Sequence, residues 1–382
     1  MEESLAATAS PELAVVLLSH GYEPIYERGF CNGVSDSGLD FTLVSSDRTD
    51  VASLRPAIKT LNLRGSQAEG RSKLTKLLNL LRYHASVIAL VIRQRPVVHL
   101  FGLLHPVLLC GLIEGVIFRI VSPRYIVTAH DLLPHDRHTR WNRFAFGLSY
   151  RLAHRVVVHT SRMRDDLVRL HRVDPARIVI MEHGIEPLEA ALPEAGDAVA
   201  DGPLRLLFFG KVMRYKGVDL LLDALQGFPR PFQLRIAGGC WDPPLEREIR
   251  AKIAAHDRAA CIEWGGKYIP EPEIPALFLN ADAAVLPYRH IDQSGILFQA
   301  LRYGVPVVAS RVGSFERYVS ADIGETFDSG DAAGLRAALL RLADRRAGLT
   351  RQRVREAGRR YEWPQTARAL LPVYALQDGD HR

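Results

Sequence analysis

Cysteine is scarce: 382 residues hold four, Cys31, Cys110, Cys240 and Cys261. None forms a C-x-x-C pair or has a histidine close by in sequence, which excludes a zinc ribbon and a disulfide framework and fits a reducing cytoplasm. The first residues, Met1 to Pro11, carry two glutamates and no basic run, so no secretory signal is expected. Low-complexity tracts and short-period repeats are missing too. The most membrane-like stretch, residues 103–120, contains Pro106, Glu114 and Arg119, all costly in a spanning helix, and is expected to form a buried helix instead. Nor is there a large charge of one sign. Lys and Arg number 49 against 43 Asp and Glu, a net +6 that suits phosphate-rich ligands or an anionic membrane surface without demanding nucleic acid.

What is present is the composition of an ordinary globular protein, 47% apolar and 24% charged, long enough for two or three domains. Short runs of Val, Ile and Leu alternate with longer segments of helical period, the form of strand-helix-strand units around a parallel sheet. Strands are expected at 13–19, 41–45, 97–101, 125–129, 155–158 and 178–181, with helices at 72–94, 106–120, 140–153 and 161–171 between them. Glycines at 21, 29, 33 and 38 punctuate a loop-like passage after the first strand. Residues 188–203 lose the apolar period and read as a linker. The pattern restarts with strands at 204–209, 233–237, 261–264, 283–286 and 307–309, and helices beginning near 217, 244, 271 and 296. The expected organisation is an N-terminal Rossmann-like domain at 1–187, a linker at 188–203, a second Rossmann-like domain at 204–360, and a tail at 361–382. Ligands are expected in the cleft at the carboxyl ends of the strands.

Two stretches carry chemistry. Phe209-Gly210-Lys211-Val212-Met213-Arg214-Tyr215-Lys216-Gly217 is a strand end, a glycine, a loop with three basic residues and a helix start. Glycine lets backbone approach a ligand, and Lys211 and Lys216 can offset the charge of a diphosphate. An ordinary solvated turn explains the same letters equally well. The second stretch runs from Leu286 through Asp292-Gln293-Ser294-Gly295 to Gln299, ending at Ala300-Leu301-Arg302-Tyr303-Gly304-Val305-Pro306-Val307-Val308-Ala309-Ser310. Here a strand leads into a polar loop and a helix N-terminus, where free N–H groups form an anion site. A plain capped helix would also use Asp and Ser.

Together these stretches resemble the second domain of GT-B glycosyltransferases of the family 4-like kind (glycosyl transferases group 1). Gly210-Lys211 and Lys216-Gly217 match that family's first signature, with Lys where Arg is more usual, and Ala300 to Ser310 match the tail of its second. The family carries two acids before that tail. Gln299 occupies the place of the second, and Asp292, one residue nearer, stands in for the first. The resemblance implies that Gln299 faces the nucleotide ribose and that Asp292, Gln293, Ser294 and Gly295 contact the donor sugar and diphosphate. Gln can hydrogen-bond hydroxyls but supplies no negative charge.

In the first half, Tyr125-Ile126-Val127-Thr128-Ala129-His130-Asp131 runs a strand into a polar loop, and similar enzymes place a functional histidine there. His130 can bond the donor sugar or act as a base, with Asp131 orienting it or taking the acceptor proton; as plain residues they could equally cap the strand. His20 and Gly21 are weaker acceptor-side candidates. The likeness extends through Val158-His159-Thr160-Ser161, Glu182-His183-Gly184 and Tyr361-Glu362-Trp363. It implies two Rossmann-like α/β domains facing across a cleft and a last helix crossing back to the first.

The activity implied is transfer of a sugar from a nucleotide diphosphate sugar to a glycan or lipid-linked acceptor in envelope or exopolysaccharide synthesis, with retention. No metal and no bound cofactor are expected, because basic side chains and a helix N-terminus can hold the leaving diphosphate; outside its last five residues the chain has no Asp-x-Asp motif. Lys73, Lys76, Arg82 and Arg93, interspersed with Leu77, Leu78, Leu80, Leu81 and Ile92, suit anionic headgroups, so peripheral contact with the inner face of the membrane is expected, and no nucleic acid. A helix packed on a sheet explains the same pattern. Two other functions stay open: a non-catalytic nucleotide-sugar binder, which Gln299 keeps alive, and a sugar-nucleotide epimerase of the related fold.

Overall fold

The structure, a computed structural model, describes residues 14–19, 24–68, 70–103, 109–130, 132, 139–186, 202–291 and 293–375. In chain order the first part contains β1 (Val15–Leu18), α1 (Pro24–Asp36), β2 (Thr42–Ser45), β3 (Lys59–Asn62), α2 (Lys73–Gln94), β4 (Val97–Leu100), α3 (Leu109–Val121), β5 (Tyr125–Thr128), α4 (Arg140–Leu152), β6 (Arg155–Val158), α5 (Ser161–His171) and β7 (Ile178–Ile180). The second contains β8 (Leu204–Phe209), α6 (Val218–Leu225), β9 (Phe232–Ala237), α7 (Pro243–Ala254), β10 (Ile262–Trp264), α8 (Ile274–Leu279), β11 (Ala283–Leu286), α9 (Gly295–Tyr303), β12 (Val307–Ser310), α10 (Phe315–Tyr318), β13 (Gly324–Phe327), α11 (Ala332–Arg345) and α12 (Arg351–Gly358), and the chain closes with α13 (Trp363–Ala367) and α14 (Leu371–Tyr374). These form two compact units, residues 1–184 with 363–382 and residues 185–362. Most of the linker expected at 188–203 lies outside the described residues.

The first unit is a seven-stranded parallel sheet in the order β3-β2-β1-β4-β5-β6-β7. Strands β1, β4 and β5 are buried at every position, which explains why their sequences run apolar instead of alternating. Helices α2 to α5 cover one face, through Tyr83, Val87, Val91, Phe118, Tyr150 and Leu167. Tyr83, Val87 and Val91 recur at four-residue spacing and so share one stripe of α2. Ser72 caps this helix by accepting from the Thr75 amide at 3.1 Å.

The opposite face is covered by α1, α13 and α14. The passage read as a glycine-punctuated loop is, from Pro24, a helix, and its glycines serve packing. A Cβ on Gly29 would lie 2.1 Å from Trp363 Nε1 and one on Gly33 2.5 Å from Trp363 Cβ, while one on Gly184 would meet the same indole at 2.0 Å. Three glycines thus make the slot for one fully buried tryptophan. His99 of β4 ties the tail down further, with Tyr374 Oη at 2.6 Å from Nδ1 and Thr128 Oγ1 at 2.8 Å from Nε2. Another expectation is corrected at α3: it is not a buried helix. Glu114 points inward, 2.6 Å from His84 Nδ1 of α2, but Ile113, Val116 and Ile120 are exposed.

The second unit is a six-stranded parallel sheet, β10-β9-β8-β11-β12-β13. Strands β3 and β13, not expected from the sequence, are edge strands in their two sheets. From β8 the chain winds outward to β9 and β10, then returns to place β11 on the other side of β8. The loops after β8 and β11 therefore flank a topological switch point, where open α/β sheets bind ligands.

Candidate functional site

At the end of β8, Gly210 has φ 100° and Gly217 φ 69°, conformations that favour glycine. The space is also closed to a side chain. A Cβ on Gly217 would sit 2.1 Å from the Pro287 carbonyl oxygen, which holds the loop after β8 against the loop after β11. A Cβ on Gly210 would fall 3.1 Å from Lys216 Nζ and 3.4 Å from Ile296 Cδ1. Gly210, Lys216 and the first turn of α9 thus meet at one point. Burial, aided by Lys211, pulls the Lys216 pKa down to about 8, so the amine remains mostly protonated at neutral pH. Its Nζ stands 5.6 Å from the Tyr288 ring centre, and Lys211 Nζ 5.1 Å from that of Trp241. Among the described residues neither lysine has a carboxylate partner.

The loop after β11 completes the arrangement. Ser294 caps α9, accepting from the Ile296 amide at 3.3 Å, and a Cβ on Gly295 would meet nothing within 4 Å. Gln293 Nε2 and Gln299 Oε1 are buried and unpartnered among the described residues. Each such atom costs about 1–3 kcal/mol until something bonds it. Asp292 lies outside the described residues. Sequence reasoning missed Arg289, which braces both loops: it holds Asp219 of α6 with two hydrogen bonds of 2.9 and 2.6 Å and donates to the Arg214 carbonyl at 2.9 Å. Burial opposes charge on the Asp219 carboxyl, yet the Arg289 contact prevails and lowers its pKa.

In the first unit, β5, β6 and β7 are each followed within three residues by a histidine: His130, His159 and His183. His159 Nδ1 donates to the Met181 carbonyl at 2.9 Å, so its neutral ring keeps a lone pair on Nε2, which lies 3.3 Å from His130 Nδ1. The His130 ring also meets the Phe101 carbonyl, so its single proton has two acceptors within reach. Tyr26 of α1 stands edge-on to His130, with ring centres 4.5 Å apart, and 5.1 Å from Trp363. Burial, with the neighbouring histidines, holds the pKa of His130 down at about 4 and those of His159 and His183 at about 3. All three rings are therefore neutral at pH 7. Asp131, His20 and Gly21 lie outside the described residues. Tyr26 was missed because its helix was read as a loop, whereas the recurrence of histidine after three successive strands was readable.

Among the described residues no cluster of His, Cys, Asp and Glu could hold a metal ion. What the second unit offers is two lysines without carboxylate partners, a helix N-terminus and two unpaired amides, suited to a diphosphate and a hydroxylated group. Comparison with known proteins bears on the family. The pattern defining Glycosyltransferase Family 4 matches residues 28–187 and that defining Glycosyl transferases group 1 matches residues 203–345, together most of the chain. The D-inositol 3-phosphate glycosyltransferase of Xylanimonas cellulosilytica is 30% identical over 249 residues, 58% of this chain and 56% of that protein. The chain thus spans little more than half the length of such curated relatives. Among solved structures, sucrose-phosphate synthase of Thermosynechococcus elongatus superposes with a TM-score of 0.70 at 18% identity, over 95% of this chain and 98% of that one. HepE of Anabaena, in complex with UDP-glucose, gives 0.67 at 14% identity, over 94% and 99%. By both matched patterns and by its two-sheet fold, the chain belongs to the GT-B glycosyltransferases.

Proposed function

We propose that the chain transfers a sugar from a nucleotide diphosphate sugar to a hydroxyl of a glycan or lipid-linked acceptor, with retention and without a metal, in cell-envelope or exopolysaccharide synthesis at the cytoplasmic face of the membrane. The observation that carries the reading is the set of unmet polar groups on the loop after β8 and the start of α9: the half-buried Lys216 ammonium without a carboxylate, Gln293 Nε2 and Gln299 Oε1. A bound donor would meet all of them. Its diphosphate takes Lys216, Lys211 and the start of α9, and Gln299 accepts from a ribose hydroxyl. As the glycosidic bond to the phosphate breaks, charge grows on the leaving oxygen, and fixed cations in a desolvated site favour that state over the ground state. His130, neutral and held by His159, is assigned to the donor sugar on the strength of the family likeness. The leaving phosphate accepts the acceptor's proton when configuration is retained.

Gln299 favours a second reading, a nucleotide-sugar binder without turnover, since it replaces an acid. One experiment separates the two. UDP-, GDP- and dTDP-sugars are screened by thermal shift; a ligand at about 100 times its dissociation constant adds about 2.7 kcal/mol of stability. The donor that stabilises is then incubated with membrane and glycan acceptors, with and without EDTA, and free nucleotide diphosphate is measured. Release that survives EDTA supports metal-free transfer. Binding without release supports the second reading, and no shift with any donor refutes both.

A further inference from the structure

We infer that the outer face of α2, α3 and α4 docks on an anionic lipid bilayer. The structure shows a surface that α2 alone did not reveal. On α2, Leu74, Leu77, Leu78 and Leu81 are each more than half exposed, and on α4 so are Trp141 and Phe144. Helix α3 lies between them, packed on both, and adds Ile113 and Val116. Eight exposed apolar side chains on three neighbouring helices mark an interaction site. Helix α2 is long and apolar enough to cross a membrane, but its other face, with Tyr83, Val87 and Val91, is committed to the sheet.

Charge identifies the occupant. The three helices contain eight lysines and arginines and a single carboxylate, Glu114, which is turned inward against His84 and 4% exposed. Pairing this face with a second copy would set cations against cations, because a two-fold interface is self-complementary. An anionic leaflet offers what the face lacks, acyl chains for the leucines and aromatics and negative headgroups for the basic rim. Orientation supports the same occupant. In a parallel α/β sheet each helix starts at the carboxyl edge of the strand before it, so the leucines of the first turns of α2 and the Trp141-Phe144 pair of α4 lie at the edge that also carries His130. Docking there brings that edge to the lipid surface. The inference deepens the membrane part of the proposed function by naming the surface, and it does not need sugar transfer to hold.

The test uses the whole chain without donor or acceptor, in sedimentation with vesicles of phosphatidylcholine alone or mixed with phosphatidylglycerol. Binding is expected only to the mixed vesicles and is weakened by salt. Lys73→Gln with Arg82→Gln should weaken it about thirtyfold, each cation at an anionic surface contributing about fivefold. Leu77→Ser with Leu78→Ser and Leu81→Ser should abolish it with the melting temperature of the exposed-site variant unchanged. Absence of binding by the folded wild type overturns the inference. So does equal binding to both vesicles, or a concentration-dependent dimer that the leucine variant dissociates while vesicles are ignored.

Discussion

Lys216 should make donor affinity fall as the medium becomes alkaline. Burial holds its free-state pKa at about 8, more than two units below an ordinary lysine. A dianionic diphosphate beside Nζ reverses that penalty and raises the value in the complex. The complex therefore holds more protons than the free protein above pH 8, and the binding contribution is complete below 8 and lost above it. At pH 9 about nine in ten free molecules carry a neutral Lys216, so the dissociation constant should be about tenfold higher than at pH 7, or about 1.4 kcal/mol. A sugar diphosphate diester has no proton of its own to lose in this window. Calorimetry in two buffers of different ionisation enthalpy should then show uptake approaching one proton at pH 9 and almost none at pH 7. Lys216→Arg keeps the charge and should bind without the pH dependence. Lys216→Met should bind at least about tenfold more weakly than the wild type at pH 7, since a charge-assisted bond contributes about 1.5–3 kcal/mol, and the gap should close as the pH rises. An affinity flat from pH 7 to 9 with no proton uptake would refute contact between Lys216 and the diphosphate.

Gly217→Ala should destabilise the protein by at least about 1 kcal/mol and weaken donor binding together, because its Cβ would strike the Pro287 carbonyl oxygen at 2.1 Å with φ at 69°; a normal melting temperature would mean the loops can part freely. His130→Ala should lower turnover about a hundred- to thousandfold with nucleotide affinity nearly intact, and near-normal turnover in a folded variant would remove His130 from the site. Stability should drop in acid. His99, His130, His159 and His183 have folded pKa values of about 3 to 4, below the ordinary 6.5, so the unfolded chain binds protons that the folded chain refuses. Their contribution is whole above pH 6.5 and is lost as pH falls toward 4, by about 2 kcal/mol per histidine at pH 5; equal melting temperatures at pH 7 and pH 5 would contradict this.

The parts of the fold that could be read directly were those whose physics is local. Strand β11 was placed to the residue because a parallel strand buried on both faces is an unbroken apolar run, and so was β8, whose run only Arg205 interrupts; the start of α2 fell within one residue, at its cap Ser72. Strand β3 escaped because it is an edge: Lys59-Thr60-Leu61-Asn62 has two exposed polar ends and only one neighbour, so it carries no apolar run to detect. Helix α1 escaped for a non-local reason. Gly29 and Gly33 are poor helix formers, and what they accommodate is an indole more than 300 positions away, so no window of sequence around them contains the cause.

The same distinction governs the candidate site. Gly210, Lys216 and Gly217 could be singled out because conformational freedom and charge are properties of single residues at a strand end. Arg289 could not, since its function is to hold Asp219 and the Arg214 carbonyl across two loops, and nothing in its own neighbourhood differs from a surface arginine. His159 sits between these cases. Its position after a strand was legible, but that its Nε2 faces His130 as an acceptor follows only from the Met181 carbonyl, a partner supplied by the next strand of the sheet. Replacing His159 should therefore remove one hydrogen-bond partner of His130 and not disturb nucleotide binding, whereas replacing Arg289 should loosen the loops that bind the nucleotide and leave the histidines as they are.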